Sequence, residues 1–467
     1  MTEPVAKRSS ARRAARFAGM GSFWLIWAGH VVSLVGNSVL RFGLIVQAWT
    51  EEGRATDVVV LSLCALVPQI VLSPTAGALV DRMRRRTALQ VADVGGLLAV
   101  GLLGAVYFSG GMDLWQVYLT VALVGAAAAF QYPALSAAVP VLVRADQLQR
   151  ANGLLASAKN TAEVGGPALG GLMVALSGLG AILWIDLVSF VIALATVQLA
   201  RFREPVRDGA AASESRKRLS ADSVEGLREL WRRPGLRDLV AVDFLANLVM
   251  VLGFAVVQPM VLARTDNDVT VLAAVNISIG LGGAAGGLLL VVWGGPRNRT
   301  RAMMLGIAGM CLSSQMGMSA ATGAVGWCVA LFVGALLMPI VNGAMQSVIQ
   351  TKVPHQVQGR VFGAVMFASQ LSVPVAMAVS GPLSDHVFEP QAAADNGLVH
   401  LLGPVVGDGP GSGMAVLLLI AGVCGLGAAL WGLSRRSVRE IDTLLPDLVA
   451  PDSPDPSSVL DGNERLT

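Results

Sequence analysis

Charge is scarce in this chain. Asp, Glu, Lys and Arg make up 14% of its 467 residues, against roughly 25% in ordinary soluble domains. With 54% apolar residues and a mean hydropathy of +0.64, that scarcity excludes a soluble globular protein. Cysteine is scarce too. Cys64, Cys311, Cys328 and Cys424 each stand alone in an apolar run, which excludes a disulfide framework or a thiolate metal site and leaves them as small packing residues. The glycine-rich phosphate loop of ATP-driven machines is missing. Aromatics are only 5% of the chain and do not interleave with its basic stretches, which excludes a nucleic-acid surface. No ten-residue segments of alternating polarity occur, so a membrane barrel is excluded as well.

What is present is a series of long apolar runs. Windows of about 19 residues place them at 22–49, 57–80, 88–109, 114–140, 152–177 and 179–200, then at 238–263, 270–294, 302–320, 324–350, 359–384 and 414–434. Runs of this length cross a bilayer as helices, because every backbone polar group must be satisfied inside lipid. The first run follows an Arg-rich start like a signal peptide, but it is too long and lacks a small-residue cleavage site, so it is expected to be retained as a span.

The basic residues sort by side. With the N-terminus placed in the cytoplasm, 30 of the 34 fall on the cytoplasmic face, including Arg82, Arg84, Arg85 and Arg86. Only Arg54 and Arg264 fall outside, with Arg41 and Lys159 inside spans. The positive-inside rule then predicts an even number of spans with both termini cytoplasmic. Thirty arginines against four lysines suggest a GC-rich bacterium and its inner membrane.

The expected organisation is a cytoplasmic N-terminal segment (1–21), a six-helix bundle (22–200) and a cytoplasmic linker (201–237). A second six-helix bundle (238–434) and a disordered cytoplasmic tail (435–467) follow. Within the linker Val224, Leu227, Leu230 and Trp231 recur at helical spacing, predicting an amphipathic helix on the inner membrane face. The outer stretch before the last span, rich in Gly and Pro, reads as loop with one apolar patch. Val143/Val353, Arg150/Arg360 and Gly153/Gly363 match between the halves. Two six-helix repeats of this kind are typical of transporters that rock about a central site.

These features resemble the major facilitator superfamily over essentially the whole chain. The loop after the second span in that family reads G-x-L-x-D-R-x-G-R-R; Gly77, Leu79, Asp81, Arg82, Arg85 and Arg86 match, with Arg84 in place of the second glycine. Gly166, Pro167, Gly170 and Gly171 resemble a fifth-helix motif of antiporter branches, while the fourth-helix arginine of many proton-coupled exporters has no counterpart. "SPTAGALVDR", "LWIDLVSF", "QVQGRVFGAV" and "GPLSDHVFEP" are similar to macrolide-efflux-type exporters, a group that also resembles siderophore exporters. The resemblance implies an all-α membrane protein, with twelve transmembrane helices in two pseudo-symmetric six-helix bundles. It also implies that Asp81 meets the N-terminus of the eleventh helix when the cytoplasmic side is shut, making Gly77, Asp81, Arg82, Arg85 and Arg86 a conformational latch.

Polar residues inside spans are costly and mark candidate sites. His30, Ser33, Asn37 and Arg41 lie on one face of the first helix, about 80° wide at 100° per residue. They either touch substrate or protons, or form a structural polar seam. Asp243, Asn247, Met250, Phe254 and Gln258 form a matching stripe on the seventh helix, with Asp243 either in the stripe or a solvated terminus. Glu163 lies about 16 Å in from the cytoplasm by helical rise. It is either a proton carrier or locked by Lys159 one turn away. Asp186 is placed to pair with Arg41. Met338, Met345, Met366 and Met377 read as packing or as a pliable wall for varied ligands.

The expected activity is proton-coupled export of a bulky, partly apolar small molecule, such as an antibiotic, natural product or siderophore, by alternating access. A membrane potential of about 100 mV supplies roughly 2.3 kcal/mol per charge and a pH unit about 1.4. No enzyme activity, cofactor, metal or nucleic-acid partner is expected, and the protein is expected to be a monomer in the bilayer. A proton-coupled importer, or a receptor or assembly partner on the same fold, remain the alternative readings.

Overall fold

The structure is a computed structural model that describes residues 21–110, 113–143, 147–200, 202, 234–293, 295–296, 298–353 and 355–439. The N-terminal segment, the linker with its expected amphipathic helix, and the tail beyond 439 lie outside the described residues, as do the side chains of Asp81 and Glu163. The described backbone contains helices and no strand. In chain order these are α1 (Gly21–Glu52), α2 (Ala55–Arg82), α3 (Arg85–Phe108), α4 (Leu114–Leu142) and α5 (Leu148–Leu199). After the linker come α6 (Pro234–Phe254), α7 (Val257–Arg264), α8 (Val269–Trp293), α9 (Arg299–Met310) and α10 (Ala324–Lys352). The chain ends in α11 (His355–Leu383), α12 (Gly397–Val406) and α13 (Ser412–Ser434).

Among the described residues nine helical segments are long and apolar enough to cross a membrane. Three further helical stretches stand where the remaining expected spans fall: the first half of α5, α9 with its extension, and α11. α5 is two spans joined without a loop. Gly166 and Gly170 pack on Ser38 and Phe42 of α1, in parallel order. Past Gly178 the order reverses, with Leu179 and Ile182 against Gly43, Asp186 and Ser189 against Gly36, and Thr196 against Gly29. The chain turns back at Gly178, whose φ of +70° is open to glycine and strained for other residues.

The outer stretch read as loop is helical. α11 continues through a π-helical segment, Ser384–Phe388, into a short helix, Glu389–Ala393, and α12 follows. Gly397, Gly407, Gly409 and Gly411 sit at or between helix ends with positive φ, while Gly403 and Pro404 are accommodated inside α12. A second π-helical segment, Cys311–Gly317, extends α9. There Ser313 and Ser314 hydroxyls donate to the carbonyls of Gly309 and Met310, a back-bonding that loosens the i to i−4 ladder.

Among the described residues, the two halves share a core at one end. A single apolar cluster joins Val39 to Trp49 of α1 and Val58 and Leu61 of α2 to Val257–Leu262, Leu272, Phe388 and Met414–Leu418 of the other half. This is the end carrying Arg54 and Arg264, which the charge pattern predicts to be the outer one. Toward the opposite end the core divides. Phe23, Ile26, Val80, Leu89 and Leu135 belong to a cluster confined to the first half. Leu239, Met303, Val341 and Val348 belong to another confined to the second.

Candidate functional site

In the first bundle the α1 stripe grades from buried to exposed: Ser33 is buried, His30 and Asn37 are half-buried and Arg41 is exposed. Asp186 reaches the same seam from α5 and is fully buried. Its Oδ1 accepts the Ser189 hydroxyl at 3.1 Å, while its Oδ2 has no hydrogen-bond partner among the described residues. The expected Arg41–Asp186 pair is therefore not formed: Asp186 and Ser189 pack against Gly36 of α1, which lies roughly 140° round the helix from Arg41 at about 100° per residue. Ser33 Oγ and Asn37 Oδ1 are likewise without partners among the described residues. Buried polar atoms are nearly always hydrogen-bonded, so this seam holds acceptor capacity that the protein's own described groups leave unused.

The second bundle carries a satisfied counterpart. Asp243 is no solvated terminus: its Oδ2 accepts the Ser369 hydroxyl of α11 at 3.2 Å. One turn on, Asn247 Oδ1 accepts from Ser372 at 2.6 Å. Gln315 of the π-segment donates to the Met250 carbonyl at 3.1 Å, and Gln258 donates to Asn276 of α8 at 3.5 Å. The stripe thus knits α6 and α7 to α11, α9 and α8, while Phe254 is exposed.

The fifth-helix motif is a packing surface. Gly166 and Gly170 admit α1; Gly171 faces the other bundle, where a Cβ would stand 2.5 Å from that of Ala273. Lys159, one turn before Glu163, is exposed. In the basic loop the Arg85 guanidinium donates to the Val80 carbonyl at 3.3 Å, and Arg86 donates to the Gln198 carbonyl. Both hold carbonyls at helix C-terminal ends, where a cation is favoured by about 0.3–1 kcal/mol.

Across the outer end a carboxylate bridges the halves. Asp385 accepts from the backbone N–H groups of Ala55 at 3.0 Å and Thr56 at 2.7 Å. Those amides open α2, whose N-cap residue Arg54 supplies no side-chain cap of its own. Gly381 makes the approach possible, since a Cβ there would stand 2.7 Å from Thr56 Cα. Nearby, Trp49 donates its indole N–H to Asn267 Oδ1 at 2.8 Å. A recess of about 690 Å³ opens beside these contacts, lined by Trp49, Arg54, Asp57, Asn267, Asp385 and Glu389 among others. Burial pushes the Glu389 carboxyl up from its ordinary range, opposed by hydrogen bonds from the Met414 and Gly411 amides. None of these outer residues was marked by sequence reasoning. The signal was present in "GPLSDHVFEP", which was taken for a family phrase followed by a loop.

The chain matches the Major Facilitator Superfamily over residues 18–377. It is 27% identical over 367 residues to macrolide efflux protein A of Streptococcus pyogenes, covering 78% of this chain and 90% of that one. To the multidrug efflux pump Tap of Mycolicibacterium fortuitum it is 26% identical over 379 residues, with the same coverage. Among solved structures it is similar to a bacterial homologue of the iron transporter ferroportin in an inward-facing state. That likeness has a TM-score of 0.60 at 14% identity over 88% of this chain and 98% of that one. A bacterial homologue of the lysosomal transporter Spinster, inward-facing and occupied, gives a TM-score of 0.64 at 12% identity over 87% and 94%. At such identities these structures speak for the fold alone.

Proposed function

The chain belongs to the major facilitator superfamily, and from that premise we propose that it exports a small molecule in exchange for protons. That it is a transporter and not an enzyme follows from the family. The cargo in this reading is bulky and partly apolar: an antibiotic, another natural product or a siderophore. Relatives named for macrolide and multidrug efflux support that direction and class. The setting is the inner membrane of a bacterium, with both termini cytoplasmic, the chain acting as a monomer and no cofactor required.

The observation that carries the reading is the divided core. Among the described residues, one apolar cluster spans both bundles at the outer end, and separate clusters serve each bundle toward the inner end. That is the form of a cleft open to the cytoplasm and sealed outside, ready to receive cargo from within. The stripes on α1 and α6 would flank this cleft. His30, Ser33 and Asn37 offer polar atoms to the cargo or its water, and Asp243 and Asn247 with their serine partners offer others. The proton is carried at Asp186 or Glu163. At Asp186, which is fully buried, an ionised carboxylate without a counter-charge costs several kcal/mol, whereas a neutral carboxylic acid costs far less. Such a group takes a proton when sealed and gives it up when wetted.

Accumulation of a panel of labelled antibiotics and siderophores in an efflux-deficient host tests the proposal. The intact chain lowers accumulation of at least one compound, and a protonophore abolishes the effect. Asp186→Asn or Glu163→Gln cuts efflux about tenfold or more at equal expression, as loss of an essential proton carrier would. Uptake that rises with expression, or efflux indifferent to protonophore and to both variants, contradicts it.

A further inference from the structure

The helices α2 and α11 run antiparallel beside each other across the two bundles, and each ends in the same five-residue frame. α2 closes on Gly77-x-Leu79-x-Asp81, and α11 on Gly381-x-Leu383-x-Asp385. The family resemblance implies a contact for the first frame, at the cytoplasmic face. At the outer face the structure displays the second one engaged. Asp385 sits on the first two amides of α2, at 3.0 and 2.7 Å, and Gly381 meets Thr56.

We infer that Asp385 is an outer latch, which holds the exterior of the transporter shut by capping the other bundle's helix, and that the α2–α11 pair carries one such latch at each end. The inference rests on the alternating-access reading above. The first amides of a helix have no intrahelical acceptors, and the helix dipole favours a negative charge beside them. Here the chain provides no local cap, for Arg54 stands at the N-cap position without a side-chain bond. The missing acceptor comes from across the bundle interface. When the bundles part outside, the two amides and the carboxylate return to water, so the contact stabilises only the state that is closed outside. Gly381, four residues earlier, sets the approach: a larger residue there would lift α11 from α2 before the carboxylate could reach. Trp49–Asn267 lies at the same end but joins side chains on α1 and the turn before α8, so it can be broken separately.

The test needs no substrate. Spin labels placed at Glu52 and Asp395, one on each bundle and both exposed, report the outer gap in liposomes, in a background whose four native cysteines are replaced by alanine. The short distance dominates in that parent. Asp385→Ala raises the ratio of long to short distances by about tenfold or more, the factor expected for a lost hydrogen bond to a charged group. Asp385→Asn, which keeps one acceptor oxygen, raises it less. Ala55→Pro removes a donor instead of the acceptor and tolerates its position, since Arg54 is already extended. It gives a similar shift, and the double variant goes no further than the larger single change. Unchanged distances in both Asp385→Ala and Ala55→Pro overturn the inference, and so does an additive double variant. Should Asp385→Ala fail to fold, Asp385→Asn and Ala55→Pro decide alone. A chain that exports none of the panel but opens on loss of Asp385 keeps the latch and loses the export reading.

Discussion

Gly36 decides what the α1–α5 seam can hold. A Cβ there would stand 2.5 Å from Asp186 Oδ1 and 2.6 Å from Ser189 Oγ, closer than packed atoms come without displacement. Gly36→Ala should therefore lower thermal stability in detergent by about 1–3 kcal/mol, the cost of overpacking a filled site. At Gly77 nothing lies within 4 Å of an added Cβ, and Gly77→Ala should leave the same melting curve within about 0.5 kcal/mol. Equal effects at the two positions would show that the seam is not packed as described. At this scale the sequence was legible for identity and poor for partner. Asp186 stood out as a charge in an apolar run, yet its partner was expected to be Arg41. The true contacts, Ser189 and the α1 backbone, follow from glycine placement that only the packed seam reveals. Asp385 went unmarked for a related reason: its partners are backbone amides, which no side-chain pattern announces.

At the scale of elements, helical spans were legible to within about four residues at either end, because the bilayer enforces length and apolarity. The three stretches that fall short of the apolar criterion are informative. The first half of α5 and α11 face the other bundle through Gly171 and Gly381 and so escape the demand that lipid makes. The outer helices after α11 were illegible because their positive-φ glycines sit at or between helix ends instead of interrupting a loop. Gly178 shows how little sequence a reversal needs. It has open space around it and a φ of +70°, so the cost of replacing it is purely conformational. Gly178→Ala and Gly178→Asn should each lose about 1–3 kcal/mol and Gly178→Val more, because φ +70° with ψ −176° lies outside the left-handed helical region that Asn tolerates. Thermal unfolding of the three variants checks the order, and a milder Val than Asn would contradict the positive-φ turn.

For the whole molecule, the proposed alternating access requires accessibility at the two faces to be reciprocal, with the core shared among the described residues sealing the outer one. Leu61 lies buried in the cluster that joins the bundles, and Asn247 is half-buried on the α6 stripe, bonded to α11. Single cysteines at these positions, in a background without the native four, report the two ends. As built, Asn247→Cys should react readily with an impermeant maleimide applied from the cytoplasmic side, and Leu61→Cys slowly from the outside. A ligand or proton gradient acts only through its differential affinity for the two states. Conditions that speed labelling of one cysteine must therefore slow the other by the matching change in population. Adding Trp49→Phe, which keeps the ring and removes the N–H donated to Asn267, should speed labelling at Leu61→Cys about two- to tenfold, the range for a neutral hydrogen bond, and slow Asn247→Cys only slightly, because the inward-facing state stays dominant. Rates that rise together would mean a molecule that loosens as a whole instead of closing one end as it opens the other.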